Sequence, residues 1–410
     1  MYSRIVSLLI LIFSFCLVSA QDMLLKGGHV IDVKNDIDEI RDVAIEDGKI
    51  TAVGKNLSPG QYTHIVDVTG MYVVPGLIDI HSHNFHGTEP NRYLANSFTA
   101  LPPDGFTFRA GVTTIVDAGG AGWRNFEVFK RQTIDRSKTR MLAFLNIVGA
   151  GMAGGAIEQN VNDMDAKLTA MVANQYKNDI IGIKLAHYYG PEWIPTERAV
   201  EAGRKADIPV MIDFGGTEPE LSLKTLFMEK LRPGDIFTHC FGHVPGRIPL
   251  VNDEGKLEPF AFPAQKRGII FDVGHGGGSF RFDQVIPALS AGFKPNSIST
   301  DLHTGSMNGG MKDMLNVMSK FINMGLNIQE VIERSTWNPA KIIQREELGH
   351  LSIGAVADIA VLSIDEGDFG FVDVTGYKIK GDKKFVCELT LREGKVVWDL
   401  NGITKPLFKP

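Results

Sequence analysis

The stretch Val74 to Phe85, VPGLIDIHSHNF, joins an apolar segment to two histidines that lie one residue apart. The apolar run from Leu77 to Ile80 predicts a buried strand. Because side chains alternate along an extended chain, His81 and His83 are expected on the same side. Neutral imidazoles are good ligands for Zn²⁺ and similar ions. The stretch predicts a strand that ends at a metal, although an isolated pair of this kind is also found in polar loops.

Outward from this stretch, apolar strand candidates alternate with longer amphipathic stretches as far as about Lys341. This alternation of segments is typical of βα units around a parallel sheet. Eight such strands close a TIM barrel. The candidates are Leu77–Ile80, Thr113–Asp117, Met141–Ile147, Ile180–Leu185, Pro209–Asp213, Ile236–His239, Ile269–Val273 and Ser297–Asp301. We therefore predict an α/β fold in which residues 76–344 form a metal-binding (β/α)8 barrel.

Short alternating segments with turn residues between them occupy both ends of the chain. Such segments predict short strands. We expect residues 21–75 and 345–410 to build one small β-sandwich domain, with the barrel inserted between its two parts.

Residues 1–20, MYSRIVSLLILIFSFCLVSA, have one basic residue, an apolar centre and a small-residue end. This pattern predicts a signal peptide and hence an exported, periplasmic protein. An uncleaved membrane anchor is the alternative, although the apolar run is shorter than the ~20 residues of a span. After cleavage only Cys240 and Cys387 remain, too few for a fold held by disulfides.

The composition is that of an ordinary globular protein, with 44% hydrophobic and 22% charged residues. A formal net charge of -6, without any basic block, argues against nucleic acid as a partner. We expect a small-molecule substrate, no nucleic acid and no stable membrane insertion after signal cleavage. Whether the chain forms a homo-oligomer stays open.

Ionisable residues lie at or near the ends of six predicted strands, and barrel enzymes place their chemistry at the carboxyl ends of strands. Lys184 stands out because its neighbours are apolar and a buried lysine tends to lose its proton. A neutral amine can take up CO₂ as a carbamate and bridge two metals, whereas a salt-bridged lysine is the alternative. The candidate residues are His81, His83, Lys184, Asp213, His239, His275 and Asp301.

Several motifs together resemble the amidohydrolase superfamily, and within it the dihydroorotase-like amidohydrolase/deacetylase branch. The resemblance implies two divalent ions, usually zinc, with Mn or another metal as an option. His81, His83 and Asp301 would hold the more buried ion, His239 the more exposed one, and a carbamylated Lys184 would bridge them. The motifs are VVPGLIDIHSHNF, GVTTIVDAGGAG, GIKLAH, GDIFTHCFGH, FDVGHGGGSF, ISTDLHTGS, STWNPAKIIQ and LGHLSIGAVADIAVL.

The fifth predicted strand departs from that family pattern, because it ends in Asp213 where a histidine ligand is usual. An aspartate coordinates zinc through oxygen but changes the charge of the site. A mononuclear or differently metallated centre is therefore an alternative to the binuclear one.

The resemblance implies a metal-dependent, deacetylase-like hydrolase that cleaves an amide or ester bond of a small acylated substrate with a metal-activated water. Asp301 would accept the proton of that water. His275 would donate to the substrate, or alternatively only cap its glycine-rich loop. Two other functions stay open, a cyclic amidohydrolase of the dihydroorotase or hydantoinase kind and a non-catalytic exported barrel protein.

Overall fold

The computed structural model describes residues 22–87, 89, 92–213 and 220–409. The predicted signal peptide at residues 1–20 lies outside the described residues and stays a prediction. Within the described part of the chain, no helix has the length and apolar character needed to cross a membrane.

A parallel sheet of seven strands forms the centre of the chain. Each strand pairs with the next one along the chain, in the order β12-β11-β10-β9-β8-β7-β6. Most of their residues are buried, which explains why the strands appear in the sequence as continuous apolar runs rather than alternating ones. The strands are β6 (Leu77–Ser82), β7 (Val112–Gly122), β8 (Arg140–Asn146), β9 (Ile180–Ala186), β10 (Val210–Asp213), β11 (Ile236–Phe237) and β12 (Ile270–Phe271).

From β7 to β12, α-helices connect successive strands of this sheet, as the predicted βα repetition requires, whereas the described residues between β6 and β7 contain only short 3-10 turns. The longest is α4, where apolar residues line one face and Asp207 ends the helix in the left-handed conformation. The helices are α1 (Phe126–Gln132), α2 (Gly155–Glu158), α3 (Ala166–Gln175), α4 (Ile194–Ala206), α5 (Leu223–Thr225), α6 (Ala261–Arg267), α7 (Phe282–Ser290), α8 (Thr304–Asn308), α9 (Met314–Asn323), α10 (Ile328–Glu333) and α11 (Trp337–Ile342).

The eighth predicted strand, residues 297–301, is not a regular strand. The segment makes isolated parallel bridges on its two sides, from Ser297 to Asp272 and from Leu302 to Ser82. Backbone hydrogen bonds join the segment to both neighbours, from Val273 N–H to the carbonyl of Ser297 and from Asp301 N–H to that of His81. Side-chain carboxylates add to them, because Asp272 accepts the hydroxyl of Ser297 and Asp79 accepts the backbone N–H of Thr300. The segment therefore lies between β12 and β6 without continuing the sheet as a regular strand.

A separate sheet of eight strands combines the two ends of the chain, as predicted. β5 pairs with β13 in antiparallel register, from Tyr72 with Leu362 to Pro75 with Ile359. All eight strands are joined in one mixed sheet, and the division into two layers that a sandwich requires stays a prediction. The strands are β1 (Met23–Asp32), β2 (Ile37–Glu46), β3 (Lys49–Gly54), β4 (His64–Asp67), β5 (Tyr72–Pro75), β13 (Ile359–Val372), β14 (Lys378–Arg392) and β15 (Lys395–Asp399).

Helix α9 packs against β14 and so attaches this second sheet to the α/β part. The backbone N–H of Phe385 donates to the hydroxyl of Ser319 over 2.9 Å. The ammonium of Lys320 donates to the carbonyl of Val372 over 2.8 Å. The two parts therefore share buried polar contacts as well as apolar ones.

Candidate metal centre

A cavity of about 670 Å³ opens at the carboxyl ends of the parallel strands. Six of the predicted site residues line it, which confirms that the fold brings them together. The mouth also carries two tyrosines and several apolar side chains. The predicted residues that line the cavity are His81, His83, Lys184, Asp213, His239 and Asp301.

His81 and His83 lie on the same side of the end of β6, as the alternation of side chains predicts. The Nε2 atom of His83 is 2.8 Å from Oδ1 of Asp301, and that of His81 is 3.6 Å from the same oxygen. Asp79 supports the arrangement, since its carboxylate accepts the backbone N–H groups of His81 and Thr300. This carboxylate therefore links the segment before Asp301 to the strand that carries the histidines.

Asp213 and His239 form a second group at the ends of β10 and β11. Their Oδ2 and Nε2 atoms are 3.2 Å apart. The buried guanidinium of Arg247 lies 3.4 Å from the other oxygen of Asp213 and donates to the carbonyl of His239. Arg247 thus fixes both residues from behind the cavity.

Lys184 lies in β9 with a side chain that is 1% exposed. Its Nζ atom has no hydrogen-bond partner among the described residues. Gly119 makes room for the side chain, because a Cβ at that position would be 2.6 Å from Cγ of Lys184. Burial of an amine without hydrogen-bond partners costs free energy unless a ligand, an ion or a covalent group interacts with it.

The hydrogen-bond partners of His81 and His239 indicate the tautomer of each ring. Nδ1 of His239 contacts the carbonyl of Gly274, which only accepts, so the hydrogen lies on Nδ1. Nδ1 of His81 is 2.7 Å from Oγ1 of Thr238, whose own hydrogen goes to the carboxylate of Asp272. In the neutral form of each ring Nε2 then keeps its lone pair, and such outer partners are typical of metal-ligating histidines.

His275 is placed differently from the prediction. Its ring is fully buried, stacks on Phe280 at 4.3 Å, and does not line the cavity. Nδ1 is 2.9 Å from the carbonyl of Gly276, and Nε2 is 2.7 Å from Nζ of Lys320. Both nitrogens are already engaged, so the expected donation from His275 to a substrate is wrong for this structure.

Two histidines that the sequence interpretation did not single out also line the cavity, His187 and His303. Nε2 of His303 is 3.9 Å from Asp301, and Nε2 of His187 is 3.9 Å from Asp213. A signal for both was present, since each follows a predicted site residue by two or three positions in GIKLAH and ISTDLH.

Electrostatics keep the two carboxylates ionised. Burial would raise the pKa of Asp301, but the adjacent imidazole of His83 outweighs it and brings the pKa to about 2. Burial likewise opposes ionisation of Asp213, yet His239 and Lys184 hold its pKa well below the usual range. For His81, burial and the charge of Lys184 hold the pKa well below that of free histidine. The site thus offers ionised oxygens and a neutral imidazole, the donor set that divalent ions such as zinc prefer.

The comparisons with known proteins agree with this geometry. Residues 281–397 match the model of the amidohydrolase family. A deacetylase of Brucella anthropi is 34% identical over 340 residues, which cover 81% of each chain. A crystal structure of an adenine deaminase superposes with a TM-score of 0.82 at 28% identity, covering 92% of this chain and 100% of the other. A crystal structure of a dihydroorotase superposes with a TM-score of 0.80 at 29% identity, covering 92% of this chain and 99% of the other.

The chain belongs to the amidohydrolase superfamily. Proteins of this superfamily typically use divalent metals, and the residues present fit such an ion. The ligand atoms of His81, His239 and Asp301 all lie within 4.8 Å of one another, and the orphaned amine of Lys184 lies in the same cavity. Together with the deacetylase relative, membership supports a hydrolase.

Proposed function

We propose that this chain is a metal-dependent, deacetylase-like hydrolase that cleaves the amide or ester bond of a small acylated substrate, with zinc as the expected metal. The observation that carries the proposal is the buried amine of Lys184, which has no hydrogen-bond partner in the described part of the chain. Burial lowers the pKa of this amine below its ordinary value, although four nearby carboxylates, among them Asp213 and Asp301, oppose that effect. The deacetylase relative supports an acylated substrate.

In this proposal the candidate ligands form two sets, and each set would hold one ion. His81, His83 and Asp301 would hold one, and Asp213 with His239 would hold the other. Lys184, converted to a carbamate, would bridge them, because a carbamate has two oxygens where the amine has one nitrogen. Bound divalent ions lower the pKa of a coordinated water and polarise the carbonyl of the substrate.

Asp301 is the proposed proton acceptor. Its low pKa keeps the carboxylate ionised at neutral pH, and its Oδ1 atom has no hydrogen-bond partner of good geometry among the described residues. In this proposal the carboxylate takes the proton of the attacking water and passes it to the leaving group.

His303 takes the donor role that the sequence had indicated for His275. Its Nδ1 atom accepts the backbone N–H of Gly305 over 3.1 Å, so its hydrogen lies on Nε2. That is the opposite tautomer from His81 and His239. A ring that presents an N–H at the cavity suits a hydrogen bond to the substrate carbonyl better than coordination of a metal.

The cavity is of a size that suits a small substrate. Tyr93 and Tyr189 stand on one side of it, and Val244 and Pro245 are also part of the lining. Apolar and aromatic walls around a polar floor fit a molecule with a short acyl group and an uncharged side chain.

We also propose that residues 297–302 close the parallel sheet as the eighth element of a TIM barrel. Support comes from their bridges to both of its edges, with Asp301 donating its backbone N–H to the carbonyl of His81 over 2.7 Å. A crystal structure with solvent between β12 and β6 would contradict this closure.

A substrate panel tests the function. Purified protein should release acetate from an N-acetyl amino acid or an O-acetyl hydroxy acid, lose this activity with a chelator and regain it with Zn²⁺ or Mn²⁺. The similarity to a dihydroorotase structure favours ring opening of a cyclic amide as the second candidate. Turnover of dihydroorotate without any release of acetate would replace the deacetylase proposal by that one.

A further inference from the structure

We propose that His187 is a ligand of the second metal position, where it supplies the imidazole that the end of β10 lacks, and that Glu158 orients it. The proposal rests on the metal-dependent function above. It concerns residues that were not part of the predicted ligand set.

Backbone geometry places His187 beside Asp213. Ala186, the last residue of β9, pairs with Asp213 at the end of β10. The next residue, His187, donates its backbone N–H to the carbonyl of Asp213 over 3.1 Å. The two residues are therefore held together by the sheet itself.

His187 has a backbone conformation in common with two of the predicted ligands. Its φ angle is 56°, and those of His239 and Asp301 are 55° and 53°. A positive φ is uncommon for residues other than glycine, and strained backbone is concentrated at functional sites. All three residues line the same cavity at the carboxyl ends of the parallel strands.

The ring of His187 is oriented in the way expected of a ligand. Nδ1 is 2.8 Å from Oε2 of Glu158, a carboxylate that is only 1% exposed and also accepts the backbone N–H of Gly154. An ionised carboxylate only accepts, so Nδ1 carries a hydrogen and Nε2 faces the cavity. Buried carboxylates in this position are frequent behind metal-bound histidines.

The distances leave room for an ion between the three groups. Nε2 of His187 and Nε2 of His239 are 3.9 Å and 3.2 Å from the same oxygen of Asp213. Two ligands that each bind zinc at about 2.1 Å in tetrahedral geometry are about 3.4 Å apart. The observed separations lie on either side of that value.

A brace between loops is the competing role for the Glu158–His187 pair. Gln159 contacts the same segment, since its amide donates to the carbonyl of His187 and accepts the N–H of Tyr189. A brace predicts lower stability without any change in metal binding, so metal binding itself separates the two roles.

The test compares metal content by mass spectrometry, and the visible spectrum of the Co²⁺-substituted protein, for five forms of the full chain. These are the wild type, His187→Ala, Glu158→Gln, the double variant His187→Ala/Asp213→His, and His29→Ala as a control, whose side chain is 40% exposed on the second sheet.

We expect His187→Ala to weaken the second ion at least tenfold and to change the Co²⁺ spectrum. Glu158→Gln should weaken the ion by about 10-fold to 100-fold while the fold is kept. The double variant should regain the ion, because the new imidazole restores the missing nitrogen, and His29→Ala should match the wild type.

Two results would overturn the inference in distinguishable ways. If the wild type binds two ions and both His187→Ala and Glu158→Gln retain them with an unchanged Co²⁺ spectrum, His187 is not a ligand and the proposed function stands. If the wild type binds no metal at all, the proposed function fails together with the inference.

Discussion

Lys184 and Lys320 are both fully buried, yet their surroundings differ. Nζ of Lys320 is 2.7 Å from His275 Nε2, 2.7 Å from the carbonyl of Gly310 and 2.8 Å from that of Val372. Nζ of Lys184 has no hydrogen-bond partner among the described residues, although it faces ionised carboxylates across the cavity.

The difference separates a lysine with three hydrogen-bond partners from one with none among the described residues. Burial lowers the pKa of both amines, that of Lys320 to about 7. Three acceptors offset part of the cost of burying Lys320, and the side chain links α9 to β13 and to the loop of His275. Lys184 has no such compensation from hydrogen bonds, which a carbamate bound between two ions would provide.

The largest expected effect is on catalysis. Lys184→Met should lower kcat/KM by about 10³-fold or more, because it removes a ligand of both ions. It should leave the free energy of unfolding unchanged or raise it by about 1 kcal/mol, since an amine without hydrogen bonds is replaced by an apolar chain. Steady-state kinetics and urea unfolding measure the two effects. A large loss of stability would place Lys184 with the structural lysines.

The matched variant at the other lysine should show the reverse. Lys320→Met should lower the free energy of unfolding by about 2–4 kcal/mol, because buried acceptors lose their donor. Metal content should stay at the wild-type value. If this variant were as stable as the wild type and lost its metal, the contrast between the two lysines would be wrong.

A smaller loss of activity is expected when a Cβ is placed next to Lys184. Gly119→Ala would bring a Cβ to 2.6 Å from Cγ of Lys184, at a residue whose φ is +90°. A displaced amine should reduce activity about tenfold, since active sites are sensitive to shifts of less than 1 Å. Gly60→Ala, where a Cβ would meet nothing within 4 Å, is the control. Equal activity of both variants would show that Lys184 does not need its observed position.

The smallest expected effect is the pH dependence of the free energy of unfolding. Burial lowers the pKa of Lys320 to about 7 from 10.5, so the unfolded chain binds more protons than the folded one between these values. Stability must then rise with pH in this window. From pH 7 to pH 8 the wild type should gain about 1 kcal/mol of unfolding free energy relative to Lys320→Met, measured by urea unfolding. A parallel pH dependence of the two proteins would show that Lys320 is not the titrating group.

Much of the site was predictable because apolar runs mark buried strands, and several of these runs lead to a polar residue that lines the cavity. This is how Leu77–Ile80 indicated His81, and how the runs before Lys184 and Asp213 indicated those residues. The β segments at the two ends were recognised in the same way from their alternation.

The direction of side chains beyond a strand end was not predictable. Gly274 and Gly276 adopt positive φ angles, and the chain between them turns His275 away from the cavity towards Lys320. The role of Lys320 depends on contacts between residues far apart in sequence. His187 and His303 were missed because they lie beyond the predicted strand ends, where strand alternation no longer applies.

Metal content by mass spectrometry tests the central claim most directly, on wild-type protein purified without chelator and on the Lys184→Met and Lys320→Met variants. We expect about two divalent ions per chain in the wild type and in Lys320→Met, with a sharp fall in Lys184→Met. Equal metal content in the wild type and Lys184→Met, or no metal in any of them, would contradict it.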